Sequence, residues 1–189
     1  MRNKSLLIFC LCCVIFHLAN ASMLPLVGQK LALQDKNQGT VLMSGCIVLA
    51  QAAMVPMAVL VGHRADIWGR KPLFLAGLSI LALRGCLYPW SDNRYWLFAV
   101  QSLDGVGAGL YGALFPLVVA DLTQGAVIMA QGVGAALSTS LAGLVVVHAA
   151  YSAAFLLLAG IAAFGFLLYF FGMTETRGLN LALPRAVAK

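Results

Sequence analysis

Four polar side chains lie inside long apolar stretches of the sequence, where each needs a polar partner. They are His17, Gln51, Arg84 and Asp104. Ionisable groups in such surroundings pair with one another, bind ions or relay protons. One interpretation is that the four residues line or support a cavity, with Asp104 or His17 carrying a proton. The other is structural, with Arg84 and Asp104 as a buried pair and the other two bonding between helices.

A second polar group is concentrated in residues 62–72. The residues of interest are Gly62, Asp66, Gly69, Arg70 and Lys71. We expect the two glycines to permit a tight reversal between helices and Pro72 to lie in the first turn of the second helix. The aspartate could accept hydrogen bonds from a helix start, while the two basic residues would face anionic headgroups or acidic partners. The alternative is a solvated basic loop.

The remaining reactive side chains do not form a site for catalysis, a metal or a cofactor. All five cysteines fall in apolar stretches, where a thiol behaves as a small hydrophobe. Ser138 and Ser140 have no partner at matching depth, because His148 falls at a helix end. We therefore predict no catalytic residues, no metal ligands and no cofactor. The cysteines are Cys10, Cys12, Cys13, Cys46 and Cys86.

Composition indicates that helices in a membrane position these groups. Of 189 residues, 62% are hydrophobic and 10% are charged, against roughly 45–50% and about 25% in soluble domains. Six apolar stretches each approach the ~20 residues that a helix needs to cross hydrocarbon. We predict an all-α integral membrane protein with one six-helix domain, residues 1–174, and a cytoplasmic tail, residues 175–189. The expected spans are residues 5–27, 41–61, 73–90, 95–120, 125–147 and 151–173. Loops this short disfavour an enzyme.

Helix geometry places two of the polar residues at one level of the membrane. Arg84 lies about 18 Å and Asp104 about 16 Å from the cytoplasmic edge of their spans. Each charge alone would cost around 2.5–3.5 kcal/mol at a helix centre. We therefore predict that Arg84 pairs with Asp104. The same arithmetic puts His17 about 18 Å and Gln51 about 15 Å from that edge.

Basic residues orient the predicted helices. The net charge is +6, which membrane proteins acquire through an excess of Lys and Arg in cytoplasmic loops, so it does not require a nucleic-acid partner. With six crossings, eight of the twelve basic residues fall on the side of the two termini and three on the other side. We predict a multi-pass protein of the cytoplasmic membrane, surrounded by lipid bilayer, with both termini in the cytoplasm.

The first residues admit a second interpretation. A basic start, an apolar run and Ala19-Asn20-Ala21 have the order of a secretory signal peptide. Apolar character nevertheless continues to Val27 and completes a full-length span. We favour the span.

Small residues recur in the fourth and fifth spans at the spacing of close helix packing in lipid. The two sets are Gly105, Gly109 and Gly112, then Gly132, Ala136 and Ser140. Pro25, Pro56 and Pro116 are candidate hinges or plain kinks, because proline removes a backbone hydrogen bond.

The segment 62–72 resembles a known loop signature. Its pattern G-x-x-x-D-x-x-G-R-K is similar to that of the major facilitator superfamily, which lies between the second and third helices and again between the eighth and ninth. Residues 17–26, 103–109 and 131–136 resemble the seventh, tenth and eleventh helices of bacterial members. The chain thus resembles the C-terminal half of a twelve-helix transporter. It departs from the pattern at Arg64, where an apolar residue is usual, and in the short link 121–124.

The resemblance implies transport of a small-molecule substrate, which we expect to be proton-coupled efflux. In that superfamily the loop helps to close the cytoplasmic side, and the helix corresponding to that of Arg84 is peripheral, which favours a structural role for this residue. Alternating access requires two six-helix halves, so the resemblance also implies a second half on the same or a separate chain. A gene fragment, a half that dimerises and a start placed too late would each explain the length. The rival function is a truncated or non-transporting membrane protein that acts as a partner subunit or is a relic.

Overall fold

The computed structural model describes residues 2–35, 37–119 and 124–173, with side chains described except at residues 2–6, 66, 113–119 and 124. These ranges form α-helices and one short 3-10 turn, Tyr88–Trp90, and contain no strand. The helices are α1 (Arg2–Asn20), α2 (Met23–Gln34), α3 (Gly39–Trp68), α4 (Arg70–Leu87), α5 (Arg94–Val119), α6 (Gln124–His148) and α7 (Tyr151–Gly172).

Five helical spans in the described part of the chain are long and apolar enough to cross a membrane. They are Leu7–Gln34, Gly39–Ala65, Arg70–Trp90, Gly125–His148 and Tyr151–Gly172. Helix α5 has 26 residues and completes the half-bundle. The predicted all-α membrane fold is confirmed. The proposed tail, the link 121–123 and the side chain of Pro116 lie outside what the structure describes.

The first span differs from its expected form, a single helix over residues 5–27. It extends over Leu7–Gln34 and is interrupted at Ala21 and Ser22, between α1 and α2. The Ser22 N–H donates to Ser138 Oγ on α6 at 3.1 Å, and the Ser138 hydroxyl donates to Ser22 Oγ at 2.8 Å. Pro25 has no N–H with which to bond the Ala21 carbonyl. We call residues 20–23 the helix break.

Replacing Ser138 by Ala is expected to loosen the helix break. The change removes both hydrogen bonds to Ser22 and leaves a buried N–H unpaired, at a cost of about 1–3 kcal/mol. The measurement is detergent-induced unfolding of the purified protein in lipid. Ser140→Ala is the matched control, because Ser140 is exposed and its hydroxyl bonds only within its own helix, to Ala136. Equal losses for the two variants would contradict the role of Ser138.

The helices pack in a defined order. Extensive contacts join α6 to α1, α1 to α7, α7 to α4, α4 to α5 and α5 to α3. Helices α3 and α6 therefore lie at the two ends of the series. Their most apolar windows are only 17% and 22% buried, against 39–44% for the other three spans that qualify. Each of them presents an apolar face that no described part of the chain covers.

Two glycines allow α5 to approach α3 closely. A Cβ at Gly105 would overlap the carbonyl oxygen of Ala50, and one at Gly109 would lie 2.8 Å from the carbonyl oxygen of Met54. Gly112 differs, since a Cβ there would have no neighbour within 4 Å. The first two positions therefore pack helices within this chain, and the third does not.

The small residues of α6 divide in the same way. Helix α6 packs on α1 through Gly134, where a Cβ would overlap the Val14 carbonyl oxygen. Gly132, which was singled out in the sequence, has open space around it, and Ala136 and Ser140 are exposed. These three residues do not pack against another described helix. Their role in helix packing stays a prediction.

Candidate functional site

Arg84 forms the centre of a polar cluster between helices. Its side chain lies on α4, is only 2% exposed and forms an ion pair through Nη1 with Asp104 Oδ1 on α5. The pair that was predicted from matching depth is present. Burial strengthens the mutual dependence of the two groups, because a charge that is removed from water needs a partner.

The same guanidinium also reaches both sides of the helix break. Its Nη2 donates to Asn20 Oδ1 at 2.5 Å and to Met23 Sδ at 3.2 Å. Asn20 is the last residue of α1 and Met23 is the first residue of α2. The buried Nε has no hydrogen-bond partner among the described residues. One side chain therefore links α4 to α5, α1 and α2.

Two further residues hold the carboxylate of Asp104. Its Oδ2 accepts a hydrogen bond from Gln101 Nε2 at 2.9 Å, and Gln101 Oε1 accepts one from the Tyr88 hydroxyl. Gln101 and Tyr88 are fully buried. The carboxylate is therefore held by a charged partner and an amide donor. Beside it lies a cavity of about 10 Å³, lined in part by Asn20, Arg84 and Asp104, which is about the smallest volume that accommodates a water molecule.

Asn20, Gln101 and Tyr88 were not singled out in the sequence. Gln101 lies one helical turn before Asp104, which is a spacing that brings side chains together. Asn20 is three residues beyond His17 and thus near the same depth. Depth arithmetic for amides and phenols, in addition to charged groups, would have found these residues.

His17 belongs to a separate polar cluster. Its Nδ1 lies 3.1 Å from the Cys13 carbonyl oxygen, and its ring meets the edge of Tyr111 at a centroid distance of 5.6 Å. The Tyr111 hydroxyl accepts from Gln131 Nε2 at 3.3 Å and donates to Cys13 Sγ at 3.4 Å. Tyr111 lies seven residues beyond Asp104, or about 10.5 Å along α5. The two clusters therefore occupy different levels of the bundle.

Gln51 joins neither cluster. It is exposed on α3, on the helix that the rest of the chain covers least. Of the four polar residues from the sequence, the structure brings Arg84 and Asp104 together, places His17 with Tyr111, and leaves Gln51 on the surface.

The signature segment turns at one glycine instead of two. Helix α3 continues to Trp68, so Gly62 lies inside it, and the expectation that Gly62 permits the reversal is wrong. Gly69 has φ 88°, a left-handed region that favours glycine, and its N–H donates to the Ala65 carbonyl at 3.0 Å. Helix α4 begins at Arg70, with Pro72 in its first turn as expected. The side chain of Asp66 lies outside what the structure describes.

Lys71 contacts another helix of the same chain. Its Nζ donates to the Phe170 carbonyl at 2.8 Å and lies 5.3 Å from the centroid of that ring. Phe170 is in the last turn of α7, where unpaired carbonyls and the helix dipole favour a cation. Lys71 thus bonds to a helix end of its own chain, and its contact with lipid headgroups or acidic partners stays a prediction. Its neighbour Arg70 is half-buried.

The whole length of the chain matches one protein family. Residues 5–187 fit the family model described as Major Facilitator Superfamily. The chain belongs to this superfamily. An uncharacterized MFS-type transporter of Mycobacterium tuberculosis is 57% identical over 93% of this chain and 44% of its own length. The inner membrane metabolite transport protein YgcS of Escherichia coli is 26% identical over 92% of this chain and 40% of its own length. The multidrug transporter protein MdtP of Bacillus subtilis is 30% identical over 41% of this chain.

Membership in the major facilitator superfamily points to a transporter and not to an enzyme, and the mycobacterial relative is named as an MFS-type transporter. The chain spans less than half the length of the curated relatives that it matches along nearly its whole sequence. This extent agrees with the resemblance to one six-helix half. The described residues contain no group of three or more His, Cys, Asp or Glu side chains that could hold a metal ion.

Proposed function

We propose that this chain forms one half of a secondary transporter that exports a small molecule across the cytoplasmic membrane in exchange for protons. The observation that carries the proposal is the ion pair of Arg84 and Asp104, which is buried in a helical bundle and borders a small cavity. Ion pairs inside membrane helices mark ion or proton pathways in transporters. Both termini would lie in the cytoplasm, because basic residues are concentrated on that side.

Asp104 is the group that would carry the proton. Its side chain is 22% exposed, whereas that of Arg84 is 2% exposed, so the carboxylate is the more accessible member of the pair. Protonation of Asp104 would remove the counter-charge of a buried guanidinium. Such a change alters the relative free energies of two conformations, which is what coupling requires.

The cluster of His17, Tyr111 and Gln131 would contact the substrate. These side chains are only partly buried and offer hydrogen-bonding groups among aromatic and apolar neighbours, including Phe16, which stacks on Tyr111. Ligand sites combine an apolar lining with a few placed polar groups. A drug-like or metabolite substrate fits that description. Gln51, exposed on α3, would face the same central space.

A second six-helix half would complete the transporter. The faces of α3 and α6 that this chain leaves uncovered are apolar or small, and such faces pack helices in lipid. The small residues Gly132, Ala136 and Ser140 of α6 would lie in that contact. The signature loop, with Gly62, Asp66, Gly69, Arg70 and Lys71, would help to close the cytoplasmic side against the other half.

Transport by the full protein in proteoliposomes tests this function. With an imposed pH gradient and ethidium as the probe, we expect uptake or release that depends on the gradient, together with proton counterflow. Asp104→Asn should abolish the dependence on the gradient. Asp92→Asn, which removes the same charge from an ion pair with Lys30 whose acidic side chain is 75% exposed, should keep it. Transport by Asp104→Asn that still follows the gradient would reject Asp104 as the coupling group.

The second candidate is a non-transporting membrane protein that serves as a partner subunit or is a relic. It is favoured by the largely uncovered faces of α3 and α6, whose apolar windows are only 17% and 22% buried and could pack against other membrane subunits. The intact mass of the native polypeptide, recovered from its own membranes, separates the two. A mass near 20 kDa with no other six-helix chain in the complex would favour this candidate, and assembly with a second half would favour transport.

A further inference from the structure

We infer that Arg84 couples the charge of Asp104 to the conformation of the helix break at residues 20–23. The inference deepens the proposed function, because it assigns to Arg84 a positioning role beside the proton-carrying carboxylate. The carboxylate would control the first helix through the guanidinium, without touching that helix itself.

Arg84 bonds both to Asp104 and to the two sides of the helix break. Nη1 is held by Asp104, while Nη2 bonds to Asn20 on one side of the break and to Met23 on the other. A planar guanidinium presents its donors in a rigid fork. If Nη1 turns or moves away from Asp104, Nη2 must therefore move as well. Nη2 is the donor that bonds to Asn20 and Met23.

The helix break keeps some of its own helical bonds and makes hydrogen bonds to two other helices. Pro25 removes one backbone hydrogen bond, and the Ser22 N–H is paired with Ser138 instead of with its own helix. The Ala21 N–H retains its bond to the His17 carbonyl at 2.9 Å, and the Ser22 carbonyl accepts from the Leu26 N–H at 3.0 Å. Within the described part of the chain, the hydrogen bonds that reach residues 20–23 from other helices come from Arg84 and Ser138.

Neutralising Asp104 would remove the negative charge that faces Arg84. Arg84 would remain 2% exposed without its counter-charge, and its Nε already has no partner among the described residues. Among the described residues, Gln101 donates to Asp104, the Tyr88 hydroxyl donates to Gln101, and the buried Cys46 thiol on α3 lies near Tyr88. None of these groups is a carboxylate that could replace the counter-charge of Arg84. The guanidinium must then shift towards the Asn20 side or leave its place, and either movement changes the break.

Hydrogen–deuterium exchange of the full protein in lipid nanodiscs tests this coupling. We expect Asp104→Asn, a permanently neutral form, to raise amide exchange in a peptide covering residues 20–26 at least tenfold. Arg84→Lys should do the same while keeping the positive charge, because a single ammonium cannot replace the fork. Asp92→Asn is the matched control and should leave this peptide unchanged.

A double-mutant cycle identifies the route. In an Asn20→Ala background, we expect the effect of Asp104→Asn on the break to shrink at least threefold, because one bond of the route is already absent. Unchanged amide exchange of residues 20–26 in both Arg84→Lys and Asp104→Asn would overturn the inference. So would equal increases of exchange along α4 and α7, which would indicate general loosening.

The transport assay separates this inference from the proposed function. A break that responds to Asp104→Asn in a protein whose transport ignores the pH gradient would support the inference and reject proton coupling. Transport that loses its dependence on the pH gradient while the helix break stays unchanged would support proton coupling and reject the inference.

Discussion

Asp104→Asn is expected to destabilise the protein more than Arg84→Met does. The amide leaves a guanidinium that is 2% exposed without a counter-charge, and breaking a buried pair in this way costs about 3–5 kcal/mol. In Arg84→Met the remaining carboxylate is 22% exposed and keeps its hydrogen bond from Gln101, so we expect a loss of about 1–3 kcal/mol. The measurement is the midpoint of detergent-induced unfolding in lipid, at neutral pH.

The double variant gives the sharper result. Asp104→Asn with Arg84→Met removes both charges, so it should be more stable than Asp104→Asn alone. Asp92→Asn breaks an ion pair whose acidic side chain is 75% exposed and whose lysine is 10% exposed, so the expected loss is smaller than that of Asp104→Asn because water already solvates one member of the pair. Additive losses in the double variant would show that Arg84 and Asp104 do not depend on each other.

The ion pair could be predicted from the sequence because it follows from local geometry. Arg84 and Asp104 lie on consecutive antiparallel helices, and the rise per residue fixes their depths. Spans of this length and apolarity leave few alternatives to helices in lipid. The same arithmetic gave equal depths to His17 and Gln51, but depth does not state which face of a helix a residue occupies. In the structure His17 faces Tyr111, and Gln51 is exposed.

The helix break could not be predicted in this way. Pro25 marked this region as a candidate kink, but depth arithmetic could not show that the Ser22 N–H bonds to Ser138, which lies 116 residues later in the chain. Gly62 illustrates the opposite error, since its place in the signature suggested a turn, although α3 continues to Trp68.

The two glycines Gly105 and Gly112 should respond to the same substitution with opposite signs. In a helix interior, alanine is intrinsically better than glycine by about 0.8–1.0 kcal/mol. At Gly112 a Cβ would have no neighbour within 4 Å, so Gly112→Ala should be neutral or stabilising by up to that amount. At Gly105 the new Cβ would overlap the Ala50 carbonyl oxygen and lie 2.8 Å from Ala53 Cβ.

A backbone oxygen cannot move aside as a side chain can, so Gly105→Ala should force α5 away from α3. Overpacking of this kind costs about 1–3 kcal/mol, and occasionally more. Gly109→Ala should be intermediate, because its closest backbone neighbour is the Met54 oxygen at 2.8 Å. Unfolding midpoints of the three variants provide the comparison. Equal stabilities for Gly105→Ala and Gly112→Ala would mean that α3 and α5 do not pack through these glycines, and the position of Asp104 opposite Arg84 would then need another support.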